Sequence, residues 1–263
     1  VGNGSSELLD LCVKTFVDKD ETILSLDPTF SMYSIYAQVF SAKYIGAKAE
    51  EDFKLNVDSI IKDIKENDPK LVILCNPNNP TGSVLTKEEV RKIVKSTDAL
   101  IALDEAYMEF GEESAIDLLK IYPMTFVCRT LSKAYGLAGI RCGFMISSQV
   151  EKLAPLFIPY ALSSVTQTIA SVVLRHADAY KSNIATIISE RERMYQEVKD
   201  YKKMNFYPSN ANFLYGRTDE KDTLMNMFKE KNITIRNYAD TSFRITIGTS
   251  KENEMVLDVL RRF

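Results

Sequence analysis

Short apolar runs, separated by amphipathic stretches, are the feature that most constrains the fold of roughly the first 150 residues. Two of these runs, "LVILC" (71–75) and "LIALD" (100–104), are apolar almost throughout. Such runs indicate strands buried on both faces of a sheet, and their alternation with helical stretches at 56–67 and 86–96 is typical of a parallel α/β sheet. The predicted strands cover 21–26, 42–48, 70–75, 99–105, 124–130 and 141–147.

The last 100 residues follow a different pattern. A long helical stretch covers 163–200, and a strand, a helix, two strands and a closing helix follow it. We therefore expect an α/β fold with a large domain, whose mostly parallel sheet is sandwiched by helices, and a smaller C-terminal α+β domain. The predicted divisions are a large domain at 1–155, a linking helical region at 156–200 and the small domain at 201–263.

Composition excludes several classes of protein. The chain has 263 residues, 45% of them hydrophobic, so it can bury a substantial core. The net charge of -3 and the interspersed charges provide no basic face for nucleic acid. There is no apolar run long enough for a membrane helix and no signal peptide at the start, so we expect a cytoplasmic protein.

The cysteines and the single histidine argue against metal and triad chemistry. His176 lies in a helical stretch where a surface position is favoured, and the cysteines show no CxxC spacing. The four cysteines, expected to be buried free thiols, are Cys12, Cys75, Cys128 and Cys142. We expect no metal site, and catalysis through Ser-His-Asp or Cys-His groups is excluded unless His176 takes part.

Unusual polar residues follow three of the predicted strands. Asn79 lies in "NPNNPTG" after the third strand, Asp104 ends the fourth, and "RTLSK" ends the fifth with Lys133. Ligands of open α/β sheets bind at the carboxyl ends of the strands. The three strands therefore predict a ligand site at one sheet edge.

Lys133 lies in a glycine-flanked turn, and Arg141 follows it eight residues later. An amine in a partly dry site beside another cation loses its proton more easily, as a Schiff-base lysine requires, and the fork of an arginine suits a phosphate. Taken alone, Lys133 fits an ordinary surface lysine better, because the chain is rich in lysine.

Asp104, Tyr107 and Asn79 allow two interpretations each. A buried Asp104 would need a cationic partner such as the protonated pyridine nitrogen of pyridoxal phosphate, and Tyr107 and Asn79 would then reach the ring oxygen. Alternatively, Asp104 caps a turn, Tyr107 packs in the core and Asn79 belongs to a proline-containing turn. Ser5 and Ser6 precede a helix and indicate either an anion site or a simple helix cap.

Taken together and in this order, these elements resemble those of the aspartate aminotransferase superfamily, the fold type I pyridoxal phosphate enzymes. The resemblance covers essentially the whole chain and implies that Lys133 binds the cofactor covalently and moves the substrate proton, with Asp104 and Tyr107 as the other catalytic residues. It also implies that Phe30 stacks on the pyridine ring. The residues that it assigns to the cofactor are Ser5, Ser6, Phe30, Asn79, Asp104, Tyr107, Thr130, Ser132, Lys133 and Arg141.

Within the superfamily, "PTFSMYSIYAQ", "DEAYMEF" and "FRITIGT" look like segments of the histidinol-phosphate aminotransferase family. This resemblance implies amino transfer between glutamate and imidazole acetol phosphate, with Arg244 binding the amino-acid carboxylate and Arg236 the substrate phosphate. The alternative for both arginines is an exposed position on a strand. The resemblance further implies a homodimer, and a preceding N-terminal segment with a tyrosine that reaches the neighbouring subunit's cofactor.

Three alternative functions stay open on the sequence. Threonine-phosphate decarboxylase and an aromatic aminotransferase share the scaffold and its lysine, and a regulatory module can retain the fold without catalysis.

Overall fold

The computed structural model describes residues 1–111, 113–153 and 157–263, which form two separate sheets. The first sheet has six strands in the order β2-β1-β3-β4-β5-β6. All neighbours in it are parallel except β6, which runs antiparallel to β5. The strands are β1 (Thr22–Asp27), β2 (Lys43–Lys48), β3 (Leu71–Cys75), β4 (Leu100–Asp104), β5 (Thr125–Thr130) and β6 (Gly143–Ile146). The predicted mostly parallel α/β sheet is confirmed.

Helices cover both faces of this sheet, which explains the continuous apolarity of its central strands. Every residue of β3 and β4 is buried. One face packs against α1 and α2, and the other against α3 and α4. These helices are α1 (Ser5–Phe16), α2 (Met32–Val39), α3 (Val57–Asn67) and α4 (Lys87–Lys95). Each fully buried Leu or Ile contributes about 1.5–3 kcal/mol, so the strand ends that carry the polar residues are held rigidly.

The second sheet is antiparallel, with the order β7-β8-β10-β9. Its strands are β7 (Asn205–Tyr207), β8 (Phe213–Arg217), β9 (Arg236–Asn237) and β10 (Ser242–Thr246). The short β7 was not predicted, and β9 is shorter than the strand expected over 233–238. With α8 (Lys221–Glu230) and α9 (Ser250–Arg262), this sheet encloses its own core, to which α7 also contributes. The expected C-terminal α+β unit is confirmed.

The long helical stretch between the sheets is divided. After α5 (Val150–Leu153), α6 (Ser164–Arg175) ends at His176, a 3₁₀ turn covers Ala177–Tyr180, and α7 (Lys181–Val198) follows. The ring of Tyr180 packs edge-on against Tyr135 of the first unit at 5.2 Å, so tertiary packing overrides the local helix propensity here. The predicted division at 155/156 lies outside the described residues, and the domain limits stay a prediction.

From the sequence we expect no membrane helix, no metal site and four free cysteines. None of their helices combines the length and apolarity needed to cross a membrane. No group of three or more His, Cys, Asp or Glu side chains within 1–111, 113–153 and 157–263 is arranged to hold a metal ion. All four cysteines are buried and free.

Candidate active site

A cleft of about 730 Å³ lies at the carboxyl edge of the first sheet and extends to β9 and β10 of the second. All the residues that the sequence assigned to a site line it: Ser5, Ser6, Phe30, Asn79, Asp104, Tyr107, Thr130, Ser132, Lys133, Arg141, Arg236 and Arg244. These side chains come from segments up to 239 residues apart, from Ser5 to Arg244. The fold therefore brings together every predicted position.

Lys133 is held in a fixed turn after β5. The Thr130 hydroxyl accepts the Ser132 N–H at 3.1 Å, and the Gly136 N–H donates to the Lys133 carbonyl at 3.0 Å. The Lys133 Nζ lies 5.2 Å from the centre of the Tyr107 ring. Burial, and next the positive charge of Arg244, lower the pKa of Lys133. The amine is thus poised to lose its proton more readily than a surface lysine.

Asp104 ends β4 with only 3% of its surface exposed. One carboxylate oxygen, Oδ2, accepts the hydroxyl of Tyr33 at 2.7 Å, and Oδ1 accepts the Ala106 N–H at 3.1 Å. Within the described part of the chain, it forms no salt bridge, and burial raises its pKa. A buried carboxylate that lines a cleft in this way suits a ligand that brings a protonated ring nitrogen.

The turn after β3 presents Asn79 to the cleft. The neighbouring Asn78 anchors this turn, since its side chain accepts the Thr29 hydroxyl at 2.7 Å and donates to the Pro28 carbonyl at 2.9 Å. The Oδ1 atom of Asn79 accepts a hydrogen bond from Arg244 Nη1 at 2.5 Å. The turn therefore connects the segment before Phe30 to the second sheet.

Tyr107 packs edge-on against Phe213 with ring centres 5.2 Å apart. Burial raises the pKa of Tyr107, so its phenol stays protonated at neutral pH and is able to donate a hydrogen bond into the cleft.

One end of the cleft is suited to a phosphate. Ser5 and Ser6 open the 12-residue helix α1, where backbone N–H groups are free to bind an anion. Arg141 lies beside them, and its Nη2 donates to the Asn3 carbonyl at 3.2 Å. A Cβ atom on Gly4 would lie 2.4 Å from that Nη2, so only glycine allows the loop to approach the guanidinium this closely.

The other end of the cleft carries two arginines. Arg236 on β9 and Arg244 on β10 are directly opposite each other in the antiparallel register. The Arg244 guanidinium also lies 4.6 Å from the centre of the Phe213 ring, which holds it in place. Like charges that face each other across strands repel, so this pair favours an anionic ligand between or above them.

Sequence reasoning missed two buried groups behind the cleft. Tyr33 is fully buried in α2 and contacts both Asp104 and the edge of Phe30, whose ring centre is 5.6 Å away. Glu105 is also buried and pairs with Arg129 on the neighbouring strand at 2.7 Å. The signal for Tyr33 was its place three residues after Phe30, which puts both rings on one side of a helix start.

The sequence matches the family described as aminotransferase class I and II over residues 1–260. The chain belongs to this family. A histidinol-phosphate aminotransferase of Caldanaerobacter subterraneus subsp. tengcongensis is 36% identical over 99% of this chain and 76% of its own length. This aminotransferase is therefore an enzyme that acts on small molecules.

Solved structures of aminotransferases share the fold. The histidinol-phosphate aminotransferase from Clostridium acetobutylicum aligns with a TM-score of 0.90 and 26% identity over 99% of this chain and 82% of that one. The Sinorhizobium meliloti enzyme, in complex with pyridoxal-5'-phosphate, aligns with a TM-score of 0.88 and 23% identity over 99% and 76%.

Proposed function

We propose that this aminotransferase binds pyridoxal phosphate and transfers an amino group from glutamate to imidazole acetol phosphate, which yields histidinol phosphate and 2-oxoglutarate. The observation that carries the proposal is that two groups of anion-binding residues line the same cleft as Lys133: Ser5, Ser6 and Arg141 from the first unit, and Arg236 with Arg244 from the second sheet. A phosphorylated cofactor and a dianionic substrate require two such groups. The name of the 36% identical relative supports this reaction.

The residues of the cleft fit the cofactor group by group. Ser5, Ser6, Thr130, Ser132 and Arg141 would bind its phosphate. Phe30 offers an aromatic face for stacking, since its edge contact with Tyr33 leaves it on the wall of the cleft. When bound, pyridoxal phosphate supplies an electron sink for the negative charge that develops on the substrate carbon.

Four side chains would control charge and protons near the ring. Asp104 would stabilise a positive charge on the ring nitrogen, because it is buried and forms no salt bridge among the described residues. The phenol of Tyr107 and the amide of Asn79 would donate hydrogen bonds to the ring oxygen. Lys133 would hold the cofactor covalently and, once released, would take the proton from the substrate α-carbon and return it on the cofactor side, a role that its lowered pKa suits.

The two arginines divide the work of substrate binding. Arg244 binds the carboxylate of glutamate in a bidentate manner, and its hydrogen bond to Asn79 orients the guanidinium. Arg236 binds the phosphate of the oxo substrate. Because the two arginines are directly opposite each other, the carboxylate of glutamate and the phosphate of the oxo substrate would bind at neighbouring positions, one substrate after the other.

The experiment that tests this division is the substitution Arg236→Gln. Because one charged hydrogen-bonding group is lost, we expect the KM for imidazole acetol phosphate to rise about ten- to a hundredfold. The rate at which the enzyme takes the amino group from glutamate in a single turnover should change by less than about threefold. Arg217→Gln is the matched control, because Arg217 also lies on the second sheet but packs on Phe53 outside the cleft. An equal loss for both substrates would contradict the assignment of Arg236.

A phosphorylated amino acid would also satisfy the two ends of the cleft, which keeps threonine-phosphate decarboxylase as the second candidate. The two reactions differ in product, so carbon dioxide release and amino transfer are measured on the same sample. Release of carbon dioxide from threonine phosphate without transfer from glutamate would favour the decarboxylase.

We also propose that the enzyme is a cytoplasmic homodimer. The sequence resemblance supports the dimer, and light scattering of the purified protein measures its mass.

A further inference from the structure

Helix α2 places two tyrosine hydroxyls against the cofactor site. Tyr33 donates to Asp104 Oδ2 at 2.7 Å, and Tyr36, about one turn later, donates to the Ser6 carbonyl at 3.0 Å. The helix thus supports both the ring-nitrogen side and the phosphate side of the cleft. Of the two, Tyr33 makes the more consequential contact, because its partner is a charged side chain.

We propose that Tyr33 is a positioning residue that fixes the orientation of the Asp104 carboxylate toward the ring nitrogen of the cofactor. This proposal rests on the binding of pyridoxal phosphate at Asp104. Tyr33 itself does not line the cleft, so it acts through Asp104 and through the ring of Phe30.

Two donors from different parts of the fold fix the carboxylate. The Tyr33 hydroxyl from α2 binds Oδ2, and the Ala106 N–H after β4 binds Oδ1. A carboxylate with one donor on each oxygen cannot rotate about its Cβ–Cγ bond without losing both. The remaining acceptor capacity of its oxygens is then directed at a constant angle into the cleft.

Burial and packing fix the position of the Tyr33 side chain itself. Its exposed fraction is 0%, its backbone N–H donates to the Phe30 carbonyl at 3.1 Å, and its ring meets Phe30 at an interplanar angle of 88°. A phenol buried only for packing requires some hydrogen-bond acceptor, and a backbone carbonyl, as Tyr36 uses, would serve. Tyr33 instead donates to a buried carboxylate and also contacts the ring of Phe30. These two contacts together indicate that Tyr33 supports the cofactor site.

The test uses Tyr33→Phe, which removes the hydroxyl and keeps the ring. The apoenzyme is titrated with pyridoxal phosphate and with its 1-deaza analogue, in which carbon replaces the ring nitrogen. Because hydrogen bonds to charged groups are the stronger ones, we expect the dissociation constant for pyridoxal phosphate to rise about tenfold or more, and that for the analogue to change by less than about twofold.

Tyr44→Phe is the matched control, since Tyr44 is a partly buried phenol packed against the same core cluster as Tyr33 and lies outside the cleft. We expect it to leave both dissociation constants within about twofold of the wild type. The pKa of the cofactor–Lys133 linkage, read from absorbance against pH, should also shift in Tyr33→Phe and not in Tyr44→Phe.

Tyr33→Phe can also lower the stability of the protein. Both ligands bind the same apoenzyme, so a stability loss affects both dissociation constants alike and the ratio between them still decides the outcome. An unchanged ratio would overturn the positioning role and leave the proposed function intact. Failure of the wild type to bind pyridoxal phosphate at all would instead overturn the proposed function.

Discussion

The substitution Gly4→Ala tests how the start of the chain builds the phosphate end of the cleft. Gly4 precedes helix α1 with φ 84° and ψ 168°, a conformation that is essentially restricted to glycine. An added methyl group would lie 2.4 Å from Nη2 of Arg141 and 3.0 Å from its Cζ. The substitution therefore combines backbone strain with displacement of the guanidinium.

The two effects have separate magnitudes. A residue forced into this region costs about 1–3 kcal/mol, which lowers the free energy of unfolding by that amount. The guanidinium is the end of a flexible side chain and moves, but it then loses its hydrogen bonds to the Asn3 carbonyl at 3.2 Å and the Ala138 carbonyl at 3.2 Å. The shift of Arg141 from the phosphate site should weaken pyridoxal phosphate binding by about tenfold.

Urea unfolding measures the first effect, and titration with pyridoxal phosphate and with unphosphorylated pyridoxal measures the second. We expect weaker binding of the phosphorylated ligand only. Gly139→Ala is the control, because Gly139 lies in the 3₁₀ turn next to Arg141 and an added Cβ would have no atom within 4 Å. The free energy of unfolding of this variant should differ from that of the wild type by less than about 0.5 kcal/mol. A Gly4→Ala protein with wild-type stability and an unchanged preference for the phosphorylated ligand would refute this reasoning.

Two further predictions concern charge. Burial and then Arg244 lower the pKa of Lys133, so Arg244→Gln should raise that pKa. The apoenzyme should then bind the cofactor covalently more slowly at neutral pH, and the midpoint of the rate-against-pH curve should move to higher pH. An unchanged midpoint would contradict this prediction. Arg193 and Asn253 hold the pKa of Glu190 at about 2, below its ordinary 4.5. Its stabilisation is therefore complete above pH 4.5 and lost as the pH falls toward 2. Glu190→Gln should lower the free energy of unfolding by about 1 kcal/mol at pH 7 and leave it unchanged near pH 2 in urea titrations; a constant difference at all pH values would disprove the assignment.

The first sheet was predictable because its signals are local. Continuous apolarity marks β3 and β4, and α4 begins with a capping box, in which Thr86 and Glu89 bind each other's backbone N–H groups. The break at His176 was not predictable, since "ADAY" has no helix-breaking residue and the turn depends on packing against Tyr135. Three residues of β7 are too few for a periodic pattern to appear.

The site shows the same division between local and distant information. Strand ends placed Asn79, Asp104 and Lys133 at one edge because parallel strands share a direction. The contact between Asn79 and Arg244 joins residues 165 positions apart, and no local pattern encodes it. Likewise, Tyr33 reads as an ordinary core aromatic until the fold shows that its hydroxyl meets Asp104.

Above all, we expect Lys133 to be the covalent anchor of pyridoxal phosphate in this aminotransferase. Reduction of the cofactor-loaded protein with borohydride, followed by peptide mass analysis, tests it most directly. We expect the reduced cofactor mass on the peptide that contains Lys133, and its loss in Lys133→Ala. Label on another lysine, or none in the wild type, would contradict the account.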